Sequence, residues 1–246
     1  MKRFRLTLLV AMLAMAIGAG PAAAQLGDLL KQLPTVPGNV PSTGSLGELK
    51  IGQGLKEALQ VGTANAVSLT GRTDGYFKNE AIKILMPEQL KTVERGLRTV
   101  GYGPQLDELV LSMNRAAEQA APAAKSIFWN AIGEMTIDDA QKILNGGNTA
   151  ATTYFKGKTT PQLTTAFTPV VEKSMSQVGV TQQYNELLGR AKAIPFLHTE
   201  SYDINHYVVS KSLDGLFVVV GQQEAQIRAN PAARTTELLK EVFGRH

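Results

Sequence analysis

The sequence predicts an all-α protein, one helical domain of about eight helices around a kinked, alanine-rich central helix. Apolar residues recur at helical spacing, and no stretch alternates apolar and polar residues over several positions as a strand would. The central helix is expected in Met113–Met135, where six alanines cover nearly every face. A helix that is small and apolar all round is usually buried. Pro122 lies within it and lacks an amide hydrogen, so we expect a kink there.

The first 24 residues have the features of a Sec-type signal peptide. Basic residues precede an apolar run from Leu6 to Ile17, and Ala22–Ala24 offers a cleavage site of small residues. The run is too short for a comfortable membrane span. No cysteine is present for lipid attachment. The sequence therefore predicts export to the periplasm, with cleavage after Ala24.

Removal of the signal peptide changes the charge balance. The chain has 25 Lys and Arg against 21 Asp and Glu, and loss of Lys2, Arg3 and Arg5 leaves 22 basic residues. So small an excess argues against a nucleic-acid partner. The absence of cysteine excludes disulfides, cysteine-ligated zinc, iron–sulfur clusters and thiol catalysis. No later apolar run is long enough to predict a transmembrane segment.

Residues 25–46 are predicted to be a flexible linker, and residues 47–246 the helical domain. The linker interpretation depends on closely spaced prolines and glycines. These are Pro34, Pro37, Gly38, Pro41 and Gly44.

Turn and breaker residues divide the first half of the domain into helices. An apolar stripe (Leu49, Leu55, Leu59 and Val67) predicts the first helix, and a turn at Gly71–Gly75 follows it. Ile82–Met86 is expected to be briefly extended, because its last residue precedes a proline. Pro87 suits the first position of the next helix, which Gly101 ends, and Pro104 opens the central helix.

The second half contains one strong start signal and several prolines. Thr136 and Asp139 resemble a capping box, which predicts a helix that Asn145–Gly147 ends. Two helices are expected next, Thr149–Phe155 and one that begins at Thr160-Pro161 and bends at Pro169. The remaining predicted helices are Thr181–Lys192, Asp203–Ala229 and Ala232–Phe243.

Charged and amide side chains on the predicted apolar faces are the leading candidates for a site. They are Asn114, Arg115, Glu118, Glu224, Arg228 and Arg234. The simplest interpretation is one internal network that pairs buried ions and fixes helix register. The alternative is that Glu118 or Glu224 acts as the general base of a hydrolase-type enzyme.

Two other groups of polar residues could form sites. His198, Glu200, Asp203 and His206 are ligand types, but their spacing matches no compact zinc motif and Asp203 is better placed as a helix N-cap. Asn145–Thr149 could form an anion-binding helix start, although its glycines fit a helix–helix turn better. We predict no metal and no cofactor.

A group of apolar side chains could line a ligand pocket or simply form the core. They are Ile127, Phe128, Ile132, Met135, Phe167, Leu216 and Phe217. Both interpretations fit the pattern, and ordinary core packing is the commoner outcome.

Several strings together resemble the bacterial envelope family catalogued as domain of unknown function 4197. They are Asn114–Glu118, Met135–Ala140, Ala150–Phe155, Leu213–Phe217 and Arg228–Gly244. The resemblance spans about Gly47 to Gly244. It implies a single exported domain and supplies no activity, substrate or catalytic residue.

The sequence therefore favours a periplasmic, non-catalytic binding or interaction module for an apolar ligand or an envelope partner. A hydrolase is the alternative. A third hypothesis, a self-associating structural protein, would require a large exposed apolar patch. The oligomeric state is not predictable from these patterns.

Overall fold

The helical pattern is confirmed in a computed structural model, which describes residues 43–177, 179–192 and 203–229. No strand occurs in these ranges. The α-helices are α1 (Thr43–Gly71), α2 (Lys91–Thr99), α3 (Gly103–Ala120), α4 (Ala124–Gly133), α5 (Ile137–Leu144), α6 (Ala150–Gln177), α7 (Val180–Lys192) and α8 (Ile204–Ala229). The predicted signal peptide, the predicted linker up to residue 42 and the predicted last helix lie outside the described residues. Helix α1 begins within the last residues assigned to that linker.

The central helix is interrupted at the proline where a kink was expected. Helices α3 and α4 are joined by one 3-10 turn, Ala121–Ala123, which contains Pro122. Alanines on both sides of the turn are completely buried. Helices α1 and α6 pack against both halves, and α8 packs against α3. Because alanine is small, these neighbours approach the central helix closely.

The expected break between two helices near Pro161 is wrong, since α6 runs unbroken from Ala150 to Gln177 with Pro161 and Pro169 inside it. Side chains at every fourth position form one ridge with no exposed area: Phe155, Thr159, Leu163, Phe167, Val171 and Met175. A proline inside a helix costs about 3 kcal/mol. Burying each large apolar side chain contributes about 1.5–3 kcal/mol. Burial of this ridge therefore contributes more to stability than the two prolines cost.

The proposed apolar pocket is instead part of the packed core. The Phe128 ring meets Phe155 and Phe217 edge to face, with centroids 5.2 and 6.2 Å apart. Phe167 and Leu216 are completely buried in the same cluster. These side chains fill the interior by contacting each other, as ordinary core packing requires.

Two helix starts have their predicted caps, whereas Pro87 is not the first residue of an α-helix. Its backbone is extended, with ψ of 140°, and a 3-10 turn, Glu88–Leu90, follows it before α2 begins at Lys91. Thr136 and Asp139 form a capping box at the start of α5. The Asp203 carboxylate accepts the amide of His206 at 3.0 Å, as expected for the N-cap of α8. No helix within the described ranges is long and apolar enough to cross a bilayer.

Candidate functional site

The segment between α1 and α2 is irregular, yet its middle is buried. It turns sharply at Asp74, which has a positive φ of 66°, and at Gly75. A Cβ at Gly75 would lie 2.4 Å from the Leu69 carbonyl oxygen, so the turn requires glycine. Tyr76 follows and is completely buried. Its hydroxyl donates to the Ser212 carbonyl at 2.6 Å, which ties the segment to α8.

Helix α8 accommodates this tyrosine because it has no side chain at the contact. A Cβ on Gly215 would lie 2.6 Å from Tyr76 Cε1. Burial raises the pKa of the Tyr76 hydroxyl far above its ordinary value, and the negative charge of Glu118 adds to the effect. The hydroxyl is therefore a neutral donor that anchors the segment.

Glu118 lies directly beneath the segment and organises its backbone. Its Oε1 accepts the amides of Tyr76 and Phe77 at 3.0 and 3.1 Å. Its Oε2 accepts a 2.6 Å bond from Arg115. Only 4% of the glutamate side chain is exposed. A buried carboxylate is tolerated because amide donors and a guanidinium surround it.

Asn114, on the same helix, holds the segment further along. Its side-chain amide donates to the Ile84 carbonyl and accepts the Ile84 amide, both at 2.8 Å. The same NH₂ group donates to the Val110 carbonyl at 2.7 Å. A single residue presents N–H and C=O on one side only when its backbone is extended, so this pairing fixes a strand-like conformation.

Arg115 joins Glu118 to the turn. Its Nη2 lies 2.7 Å from Asp74 Oδ1, and Lys78 lies 2.8 Å from the other Asp74 oxygen. Hydrogen bonds from Lys78, and then from Arg115, lower the pKa of the Asp74 carboxyl. The bond to Glu118 is the main cause of the raised pKa of Arg115. We call Asn114, Arg115 and Glu118, with their segment partners, the Glu118 cluster.

Glu224 has a different partner, the N-terminus of α6. Its two oxygens accept the amides of Ala151 and Thr152 at 2.9 and 2.8 Å, and the Thr152 hydroxyl donates at 2.8 Å. Arg228, one turn later, donates to Glu224 Oε1 and to the Ile143 carbonyl of α5. A carboxylate is favourable there because helix amides and the helix dipole point outward. We call these residues the Glu224 cluster.

The structure therefore separates five of the six predicted network residues into two groups. Asn114, Arg115 and Glu118 meet around the irregular segment, whereas Glu224 and Arg228 meet at the start of α6. Within the described residues, no hydrogen bond or ion pair is shared between the groups. Arg234 lies outside the described residues.

The contacts of Glu224 also bear on the anion-binding hypothesis for Asn145–Thr149. The amides at the start of α6 do bind an anion, but the anion is the chain's own Glu224. Sequence reasoning missed this connection because the partners are 73 and 72 residues apart.

Comparison with known families agrees with the resemblance. The profile of a family described as a protein of unknown function, DUF4197, matches residues 45–244. The chain belongs to this family. No curated protein and no solved structure matched it. Two of the strings that carried the resemblance supply the two clusters of this DUF4197 domain, since Asn114–Glu118 forms one and Ala150–Phe155 starts the capped helix.

The proposed histidine group is only partly described. His198 and Glu200 lie outside the described residues, and Asp203 caps α8. In the described ranges, no group of three or more His, Asp or Glu side chains is placed to hold a metal ion.

A broad surface groove was not anticipated from the sequence. Residues from Ala81 to Met86 form one wall, and α8 from His206 to Val218 forms the other, around a volume of about 580 Å³. Leu85 and Val218, both in the lining, are 54% and 44% exposed. The sequence signal that could have indicated this groove is the predicted extended stretch before Pro87. An extended chain that lies beside a helix can leave a groove between the two. We call this the α8 groove.

Proposed function

We propose that this DUF4197 protein is an exported, non-catalytic module that binds another protein of the bacterial envelope. Export is inferred from the signal-peptide pattern of residues 1–24. The α8 groove carries the binding proposal, because it is wide and open and exposes two large apolar side chains. Both side chains line the same groove and are accessible to a partner.

The two buried glutamates support a non-catalytic role. A general base must reach a proton on its substrate. Glu118 and Glu224 are nearly inaccessible, and the oxygens of both already accept backbone amides or arginine donors. The structural role of each carboxylate explains why it is buried. The geometry of the two glutamates therefore does not support the hydrolase alternative.

A protein partner fits better than an apolar small ligand. The aromatic rings of the core contact each other and leave no pocket between them. Among the described cavities, the one with the most apolar lining, between Leu55 and Ile227, has a volume of about 20 Å³. Pockets for apolar small molecules commonly enclose several hundred cubic ångströms behind mostly apolar walls. The α8 groove reaches about 580 Å³, but charged side chains form part of its lining. An open groove suits a polypeptide.

Two measurements on the full chain test the proposal. The intact mass of protein recovered from the periplasm should lack residues 1–24, and full-length protein retained in the cytoplasm would contradict export. A photo-crosslinking residue at position 85 should then give a discrete adduct with an envelope protein. The same residue at Trp129, which is 44% exposed outside the groove, is the matched control.

Native mass spectrometry of the same detergent-free sample separates the remaining hypotheses. A reproducible added mass of lipid size would favour the apolar-ligand alternative. Equal adducts from positions 85 and 129 would mean that the groove is not the binding surface.

A further inference from the structure

Helices α1 and α8 pack side by side and run in opposite directions. A Cβ on Gly62 would lie 3.2 Å from Ile227 Cδ1 and 3.8 Å from Gln223 Cβ. Two turns later in α1, Leu69 lines one cleft with Val219, which lies two turns earlier in α8 than Ile227. Because the helices stay adjacent over two turns, their outward sides form one continuous surface.

This surface of the two helices carries no exposed charge. Helix α1 has no charged residue from Ala58 to Gly71. In α8 the only charged residue between Asp214 and Arg228 is Glu224, which is buried against the start of α6. The outward residues are uncharged and at least partly exposed, and we call them the α1–α8 face: Val61, Ala64, Asn65, Ser68 and Leu69 of α1, with Gln222, Gln223, Ala225 and Gln226 of α8.

Other helices of the molecule expose charged residues, as is usual for a helix face in contact with water. Helix α6 exposes Lys156 and Lys158, and the short α2 exposes Lys91 and Arg95. Depletion of charge is instead typical of the centre of a protein–protein interface. The composition of the α1–α8 face therefore indicates a surface that another protein covers.

The chemistry of the face favours a second copy of this chain as the occupant. A two-fold contact places the same patch of both copies opposite itself, so any charge within it would face a like charge. A face without charge avoids that repulsion, and it offers no opposite charge to a charged partner.

The amide side chains of the face provide hydrogen bonds that a second copy can match. An amide group has both donors and acceptors, so it can pair with the identical group across a two-fold axis. The side chains of Asn65 and Gln222 make no hydrogen bond within the described part of the chain. Both are exposed, so they are available to another copy.

We propose that two copies of this chain associate through their α1–α8 faces about a two-fold axis. Nine side chains are fewer than the roughly 20–30 residues that each partner contributes to a standard interface. We therefore expect a reversible dimer that forms at micromolar or higher concentration. The face shares no residue with the lining of the α8 groove, so the dimer is independent of the proposed function.

Sedimentation velocity of the exported chain at low salt, from about 1 µM to about 1 mM protein, measures the association. Gln222→Glu and Gln222→Lys should each weaken the dimer about tenfold, since each copy then brings a like charge to the contact. An equimolar mixture of the two variants should restore the dimer, because a mixed pair has opposite charges. A head-to-tail contact would give no such rescue, because position 222 would then meet a different residue.

Gln177→Glu and Gln177→Lys are the matched controls. Gln177 is an exposed glutamine at the end of α6, outside the face, so neither change should affect association. The variants at position 222 should keep the fold, because the Gln222 side chain is exposed and makes no hydrogen bond within the described residues. Urea denaturation of each variant checks this.

The proposal is overturned if the unmodified chain stays monomeric up to about 1 mM. It is also overturned if the Gln222 variants associate as tightly as the unmodified chain, or if their mixture associates no better than either alone. A photo-crosslinking residue at position 222 should give a covalent dimer, and an adduct with a different envelope protein instead would mean that this protein covers the face. Crosslinking at position 85 tests the proposed function separately, so failure of the dimer leaves that function standing.

Discussion

The Glu118 and Glu224 clusters use the same residue types at similar helical spacing, yet they stabilise different kinds of backbone. Each has a buried glutamate with an arginine one turn away, and each glutamate accepts two consecutive backbone amides. Glu118 receives both on a single oxygen, from a segment with little regular structure. Glu224 receives one on each oxygen, from the first turn of a long helix.

This difference indicates that the stability a buried carboxylate contributes depends on the backbone that it binds. The first turn of α6 belongs to a helix that a buried ridge already stabilises. The segment around Tyr76 depends much more on side chains of α3. Loss of Glu118 should therefore be more damaging than loss of Glu224.

The largest effect is expected for Glu118→Ala. The change leaves the buried Tyr76 amide, the Phe77 amide and Arg115 without their acceptor. Removing one member of a buried pair typically costs about 3–5 kcal/mol. The free energy of unfolding, measured by urea denaturation, should fall by about that amount. Glu108→Ala, an exposed position on the same helix, is the matched control. If both variants lost a similar amount of unfolding free energy, Glu118 would not stabilise the irregular segment as we infer.

Glu224→Ala should have the next largest effect. It leaves the amides of Ala151 and Thr152 and the side chain of Arg228 without the carboxylate. We expect the free energy of unfolding to fall by about 2–4 kcal/mol. The loss is smaller than for Glu118 because Thr152 is half-buried, so water can replace some of the hydrogen bonds that the carboxylate accepted. Hydrogen exchange should quicken at the start of α6. Glu172→Ala, exposed on α6, should leave that exchange unchanged. A larger loss than for Glu118→Ala would reverse the comparison.

Much of the fold was predictable because its signals are local. The proline kink, the capping box at Thr136 and the apolar face of α8 depend on residues within one or two turns of each other. The unbroken α6 was missed because Pro161 is also a local signal, and burial of the ridge from Phe155 to Met175 outweighs it.

The candidate site was harder to predict because its contacts are distant in sequence. Polar residues on apolar faces correctly indicated buried groups that need partners. Their partners were not predictable, since Glu118 binds backbone amides 42 and 41 residues away. Backbone amides are present at every position except proline, so no residue type marks them. The role of Tyr76 depends likewise on a glycine in α8 that lies 139 positions later.

A smaller effect is expected for Arg115→Ala. Its side chain is 35% exposed, whereas that of Arg228 is 15% exposed. Solvent screens an exposed ion pair, so we expect a loss of about 1–2 kcal/mol in the free energy of unfolding. Arg228→Ala should cost more, because that guanidinium is more buried and also binds the Ile143 carbonyl. Equal losses in urea denaturation would mean that the exposure of the arginines does not distinguish the clusters.

The smallest effect, and the most specific to one cluster, is the pH dependence of Asp74. Hydrogen bonds from Lys78 and Arg115 lower the pKa of this carboxyl below its ordinary value of 3.8. A carboxyl whose pKa is lowered by folding stabilises the folded state above its unfolded pKa and loses that contribution as pH falls through its folded pKa.

The stability advantage of the unmodified chain over Asp74→Asn should thus be constant near neutral pH and decline below about pH 4. Asparagine tolerates the positive φ at this position, so the backbone turn is retained. In the Glu224 cluster, one further partner of Arg228 is the Ile143 carbonyl, which does not titrate. Unfolding free energies measured from pH 2 to 7 test the point, and an advantage that persists unchanged to the lowest pH would mean that Arg115 and Lys78 do not hold Asp74 in its ionised form.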